Sequence, residues 1–257
     1  MSQQTTKTIR ARKGKEKIAM LTAYDYPTAA ILDESGVDIL LVGDSLGNVI
    51  LGFPNTLQVT LDMIIHHTQA VVRGAKNALV VADLPFGTYQ SSSSQAIENA
   101  AKLLSQGQAH AVKLEGGKIM AETVKRMVDV GIPVMGHIGL TPQSINELGG
   151  YFIHGKTSPE AQALMEDAKA LEQAGVFAIV LECVEPALTK HITENLSIPT
   201  IGIGSGTDCD GQVLVIHDML GFTTQKVPKF VKQTANLRSL ITESTMTYIK
   251  RVKEGKE

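Results

Sequence analysis

The sequence predicts an α/β protein of the (β/α)8 TIM-barrel class, from three observations. Apolar stretches of strand length alternate eight times with mostly helical pattern. The alternation runs through 257 residues without a break in composition, a length that suits one barrel. Four of the stretches end in acids: Ile39–Ser45, Leu79–Pro85, Ala111–Gly117 and Ala178–Val184 carry Asp44, Asp83, Glu115 and Glu182. In a barrel the C-terminal ends of the strands converge on one face, which carries the chemistry. A doubly wound open sheet is the alternative, and needs helices on both faces and a switch in strand order.

The arm MSQQTTKTIRARKGKEK has no acid before Glu16 and no apolar core. It fits neither a secretory signal nor a membrane span, and a short transit segment is less favoured than a frayed, solvated arm over residues 1–16. KIAMLTA gives a first strand, and DYPTAAILDESG a helix stopped by Gly36. The second strand ends at Asp44, and LGNVILGFPNT follows as a loop to Thr56. LDMIIHHTQAVVRGA repeats its apolar residues at helical spacing from near Thr60. After the third strand, the serines Ser91–Ser94 mark a helix entry before AIENAAKLLSQG. The fourth strand carries Lys113 and Glu115 and precedes the helix IMAETVKRMVDVG. The fifth spans Pro133–Gly139, then comes the insertion LTPQSINELGGYFIHGKT and the helix SPEAQALMEDAKALEQAG. The sixth ends at Glu182, the seventh is Pro199–Gly206 and the eighth Gln212–Leu220. A long amphipathic segment, Pro228–Lys253, follows. The whole chain, 1–257, is expected to be a single barrel domain.

Composition narrows the function. A net charge of −2 without a basic, aromatic-flanked stripe argues against nucleic acid. No apolar run reaches membrane-span length. Cys183 and Cys209 have no metal-type spacing, so reduced thiols are expected.

The chemistry is expected among the acids. One acid after a strand is commonly a helix cap, but four with a lysine among them suggest a hard-cation site with a spare general base. Lys113 and Glu115 are two apart on one strand and share a face. A buried pair kept only for structure seldom stabilises, which favours a functional pair. Asp44 and Asp83 offer oxygen ligands suited to Mg²⁺. Ser45 is placed to bond a substrate carboxylate or to cap a turn. Glu182 is a candidate ligand neighbour or general base, and His137 a core histidine or site residue. His66 and His67 are expected to be structural or solvated, and GIGSG a tight turn more than an anion cradle.

The strings LTAYDYPTA, LLVGDSLGNVILG, VVADLPFGTY, VKLEGG, GHIGLTPQS, VLECV and IGIGSGTDCDGQVLVIHDMLG resemble the ketopantoate hydroxymethyltransferase family over nearly the whole chain. The resemblance implies a barrel of the phosphoenolpyruvate/pyruvate type. It implies Mg²⁺ ligands at Asp44, Asp83 and Glu115, substrate contacts at Asp44, Ser45, Asp83 and Lys113, an active-site histidine at His137 and the proton acceptor at Glu182. It further implies hydroxymethyl transfer from 5,10-methylenetetrahydrofolate to 3-methyl-2-oxobutanoate, giving 2-dehydropantoate for pantothenate and coenzyme A. A cytoplasmic homo-oligomer, typically a decamer, acting on small molecules is part of the same expectation. Departures from the family pattern are Phe53, Gln58 and Ser205. A metal-dependent lyase or aldolase on a 2-oxo acid is the rival activity. A non-catalytic barrel is disfavoured by the intact acids and Lys113.

Overall fold

The computed structural model describes residues 3–256. Two compact units, Met1–Val213 and Leu214–Glu257, divide the chain.

In the first unit, helix α1 (Thr6–Arg10) is closed by a reciprocal capping box between Thr5 and Thr8. Strand β1 (Ile18–Thr22) leads to α2 (Tyr26–Glu34), where Asp25 accepts the Thr28 amide and Pro27 occupies the first turn. Next come β2 (Ile39–Val42), the short α3 (Leu46–Val49) and α4 (Leu61–Gly74), whose Thr60 caps the Met63 amide. Strand β3 (Leu79–Asp83) precedes α5 (Ser93–Ser105), entered through the Ser92 cap. Then β4 (Ala111–Glu115) and α6 (Ala121–Asp129) lead to β5 (Val134–Gly139), followed by the turn α7 (Ile145–Leu148) and α8 (Ser158–Ala174). Strand β6 (Ala178–Glu182), α9 (Pro186–Asn195), β7 (Thr200–Ile203) and β8 (Gly211–Leu214) complete the ring. All paired neighbours run parallel, and the eight strands close into one barrel in chain order. The expected fold class is therefore the one observed, and the open-sheet alternative falls with the closure.

Side chains alternate across each strand, so every second residue faces the barrel axis. Met20, Leu41, Val81, Met135, Val180 and Ile201 form the buried interior. The same parity carried towards the C-terminal ends turns polar: Val81 is followed by Asp83, Ala111 by Lys113 and Glu115, Met135 by His137, and Val180 by Glu182. The register sets these beside one another, with Asp83 opposite Lys113, Glu115 opposite His137, and Gly139 opposite Glu182. One end of the barrel is thus an apolar plug and the other a ring of ionisable groups.

Three local expectations change. The N-terminal arm is not simply frayed, because Ile9 on α1 is fully buried in the interior cluster. Residues 46–49, expected as loop, form α3. The eighth strand stops at Leu214, and the apolar run after it turns into a helix.

In the second unit that helix is α10 (Ile216–Met219). The expected long amphipathic segment is shorter, as α11 (Leu237–Lys253), entered through an Asn236 cap on the Ser239 amide. None of its residues is buried, and Leu240, Met246 and Tyr248 are more than half exposed.

Candidate active site

Lys113 lies at the centre of the polar ring. Its ammonium stands 2.9 Å from Asp83 Oδ1 and 3.3 Å from His137 Nδ1, and is almost wholly buried. Burial disfavours the charged lysine, but the carboxylates of Asp83, Asp44 and Glu115 outweigh it and push its pKa up. Asp83 turns its other oxygen, Oδ2, to the Asp44 amide at 3.0 Å.

Asp44 departs from the strand alternation. It sits past the end of β2, where Gly43 brings the chain against its neighbours. A Cβ on Gly43 would meet Ser45 Oγ at 2.9 Å and Asp83 Oδ2 at 3.3 Å. Burial and the charge of Asp83 push the Asp44 pKa up to about 7, against the opposing pull of Lys113 and of the hydrogen bond from Gln143. Glu115 is held well above the carboxylate range by burial and by Asp44.

His137 lies between two carboxylates, with Nδ1 3.6 Å from Glu115 Oε1 and Nε2 3.0 Å from Glu182 Oε2. The second approach is short but outside hydrogen-bond alignment, so Nε2 has no hydrogen-bond partner. Burial and Lys113 lower the His137 pKa, which keeps the ring neutral near pH 7. Of the four acids, Glu182 is the most open, with 16% side-chain exposure against 3% for Asp83 and 4% for Glu115. Directly after it, Cys183 takes a left-handed φ of 49°, a conformation that stores strain in a non-glycine residue. Ser205 spans this turn, donating to Leu181 O at 2.8 Å and accepting from the Val184 amide at 2.9 Å.

Six of the expected residues, Asp44, Asp83, Lys113, Glu115, His137 and Glu182, therefore gather at one barrel end. Ser45 is beside them, its Oγ 2.8 Å from the Tyr24 hydroxyl. Three neighbours went unnamed as site residues in the sequence: Tyr24, Tyr89 and Gln143. All lie inside strings that were singled out (LTAYDYPTA, VVADLPFGTY, GHIGLTPQS), but no periodicity marks them. His67 bonds the Tyr24 carbonyl through Nδ1 and His66 is exposed, as expected of structural and solvated residues. Cys183 and Cys209 are free thiols.

No group of three or more His, Cys, Asp or Glu side chains stands at metal-holding spacing among the described residues. Protein donors hold the acids instead: Lys113 and the Asp44 amide at Asp83, the Gln143 side chain at Asp44, the Gln143 amide at Glu115. The donor chemistry nonetheless fits a hard cation. The four clustered carboxylates face one ammonium, and Asp83 Oδ1 is buried without an aligned hydrogen bond.

Residues 3–256 match the sequence signature of the ketopantoate hydroxymethyltransferase family. The chain belongs to that family. The 3-methyl-2-oxobutanoate hydroxymethyltransferase of Syntrophus aciditrophicus (strain SB) is 58% identical over 252 residues, covering 98% of this chain and 93% of the relative. The enzyme of that name from Carboxydothermus hydrogenoformans is also 58% identical, covering 95% and 88%. Among solved structures, a 2,3-dimethylmalate lyase of the PEP mutase/isocitrate lyase superfamily superposes with a TM-score of 0.63 at 13% identity, covering 99% of this chain and 86% of the lyase. A phosphonopyruvate hydrolase in complex with oxalate and Mg²⁺ gives 0.66 at 10% identity, covering 98% and 88%. These structures share the fold. Among the described residues, no helix is long and apolar enough to cross a membrane.

Proposed function

We propose that the chain transfers a hydroxymethyl group from 5,10-methylenetetrahydrofolate to 3-methyl-2-oxobutanoate, giving 2-dehydropantoate at the first committed step of pantothenate synthesis. The observation that carries this is the 58% identity to relatives of that name, across a barrel end where a buried lysine faces clustered carboxylates. The rival lyase activity has support only from neighbours near 13% identity, which speak for fold alone.

Asp44, Asp83 and Glu115 would hold Mg²⁺, which when bound supplies a Lewis acid for the keto and carboxylate oxygens of the 2-oxo acid. The Lys113 ammonium, held charged by its acids, neutralises the substrate carboxylate. Ser45 Oγ offers a hydrogen bond to the same group. Glu182, the most open of the four acids, takes the C3 proton. Neutral His137 stays beside it, Nε2 3.0 Å from Glu182 Oε2. The C3 carbon then bonds the one-carbon unit of the folate, and water supplies the hydroxyl oxygen as tetrahydrofolate leaves.

The test is Glu182→Gln, which keeps size and removes basicity. Deuterium exchange at C3 without folate should fall with overall transfer, by ~10²–10⁴-fold. Exchange at the parent rate would exclude Glu182 as the base. A parent that neither exchanges C3 nor uses methylenetetrahydrofolate, yet cleaves another 2-oxo acid, would establish the lyase.

A cytoplasmic homo-oligomer, a decamer, is part of the same proposal. The exposed apolar residues of α11 support association. Light scattering at micromolar protein should report an assembly, and a stable monomer refutes it.

A further inference from the structure

Gln143 follows β5 in a tight turn over Pro142–Ser144 and is only 4% exposed. Its side-chain Nε2 donates to Asp44 Oδ2 at 2.8 Å and to Leu84 O at 3.0 Å. Its Oε1 accepts from the Tyr89 hydroxyl at 2.8 Å and from Gln90 Nε2 at 3.3 Å. Its backbone amide donates to Glu115 Oε2 at 3.0 Å.

A primary amide has two N–H donors and two acceptor lone pairs, and all four are used. The orientation is therefore fixed. A flipped amide would set Oε1 against Asp44 Oδ2 and Leu84 O, both acceptors. Tyr89 locks the arrangement from behind, since its hydroxyl also accepts the Glu115 amide at 3.2 Å. Asp44 follows β2 and Glu115 ends β4, and each gives one oxygen to this single residue. Asp44 Oδ1 and Glu115 Oε1 remain uncommitted to it.

We infer that Gln143 is a positioning residue that sets Asp44 and Glu115 for a divalent cation, one through its side chain and one through its backbone. The inference rests on the proposed metal site, and deepens it. Partners that hold ligating carboxylates are typically worth roughly 10–100-fold in metal affinity or activity.

Gln143→Met keeps length and the backbone donor but removes the side-chain bonds. Calorimetric titration of the full chain with Mg²⁺ should show a dissociation constant raised about tenfold or more. Saturating Mg²⁺ should restore most of kcat. A merely structural role would lower the active fraction and leave the affinity of the folded protein unchanged. Tyr89→Phe, which removes the lock on Oε1, should weaken Mg²⁺ in the same direction by a smaller factor, and answers the question if the methionine variant does not fold. A parent that binds Mg²⁺ with variants that match it overturns this inference alone. A parent that binds no Mg²⁺ overturns the metal site as well.

Discussion

Asp44 carries a titration that metal binding must work against. Its pKa is pushed up to about 7 by burial and Asp83, while a cation requires the carboxylate. Apparent Mg²⁺ affinity should therefore rise with pH through about 7, with protons released on binding, and the raised Glu115 carboxyl adds to the same trend. Calorimetry in buffers of differing ionisation heat reads that release, and a pH-independent affinity would contradict it. Lys113 makes the complementary case. Removing it leaves buried carboxylates without their counter-charge, and breaking a buried pair costs about 3–5 kcal/mol. Lys113→Ala should impair 2-oxo acid binding more than folate binding, measured by separate titrations. Lys113→Arg should recover little, because a planar fork does not replace a compact point charge. An equal loss of both ligands would indicate a collapsed barrel mouth.

At the scale of elements, Asp33 fastens the end of α2 to the start of β3. It accepts the Asn77 amide at 2.9 Å, the Ala78 amide at 2.7 Å and Asn77 Nδ2 at 2.9 Å. Burial alone would raise its pKa, but hydrogen bonds from Ala78 and its neighbours outweigh burial and lower it. A carboxylate with a lowered folded pKa stabilises above its unfolded value, near 4, and loses that contribution as pH falls through the folded value. Asp33→Asn should cost about 1–3 kcal/mol near neutral pH and show a flatter decline on acidification, followed by thermal melts. An acid profile parallel to the parent's would reject this role.

These elements also show what the sequence discloses and what it withholds. The strand ends were legible because apolar runs stop at acids, and two-residue parity placed Lys113 and Glu115 on one face. The serines Ser91–Ser94 were legible as a helix entry from cap chemistry, and the helix near Thr60 from the spacing of its apolar residues. The stretch VIHDML was misjudged because a short apolar run has the same composition in a strand and in a buried helical turn. Ile9 was missed because a single apolar residue in a polar arm has no period. Gln143 and Tyr89 were missed for a different reason. Their importance comes from contacts across more than fifty positions with each other, which local pattern does not encode.

For the molecule as a whole, α1 is a functional part of the barrel floor. Ile9→Ala should cost about 2–5 kcal/mol, as large-to-small changes in a packed interior do. Chemical denaturation measures it, and a loss below about 0.5 kcal/mol, the range of surface changes, would show that the floor does not need the plug.

The wall is not uniform. Between β7 and β8 no helix intervenes; residues 204–210 carry the chain from one end of the barrel to the other. The two strands pair over only Ile201–Gly211 and Gly202–Gln212, where β5 and β6 match from Met135 to Gly139. Asp210 fastens this sector, taking the Thr200 amide at 2.9 Å and Lys13 Nζ at 2.8 Å. A closed ring must still part somewhere when it breathes, and local opening starts where cross-strand bonds are fewest. Of the seven consecutive strand pairs from β1 to β8, β7–β8 has the shortest register and is the expected seam. Its amides should exchange with deuterium before those of β2 to β6, and Asp210→Asn should widen the gap. Equal protection around the ring would show that it opens as one piece.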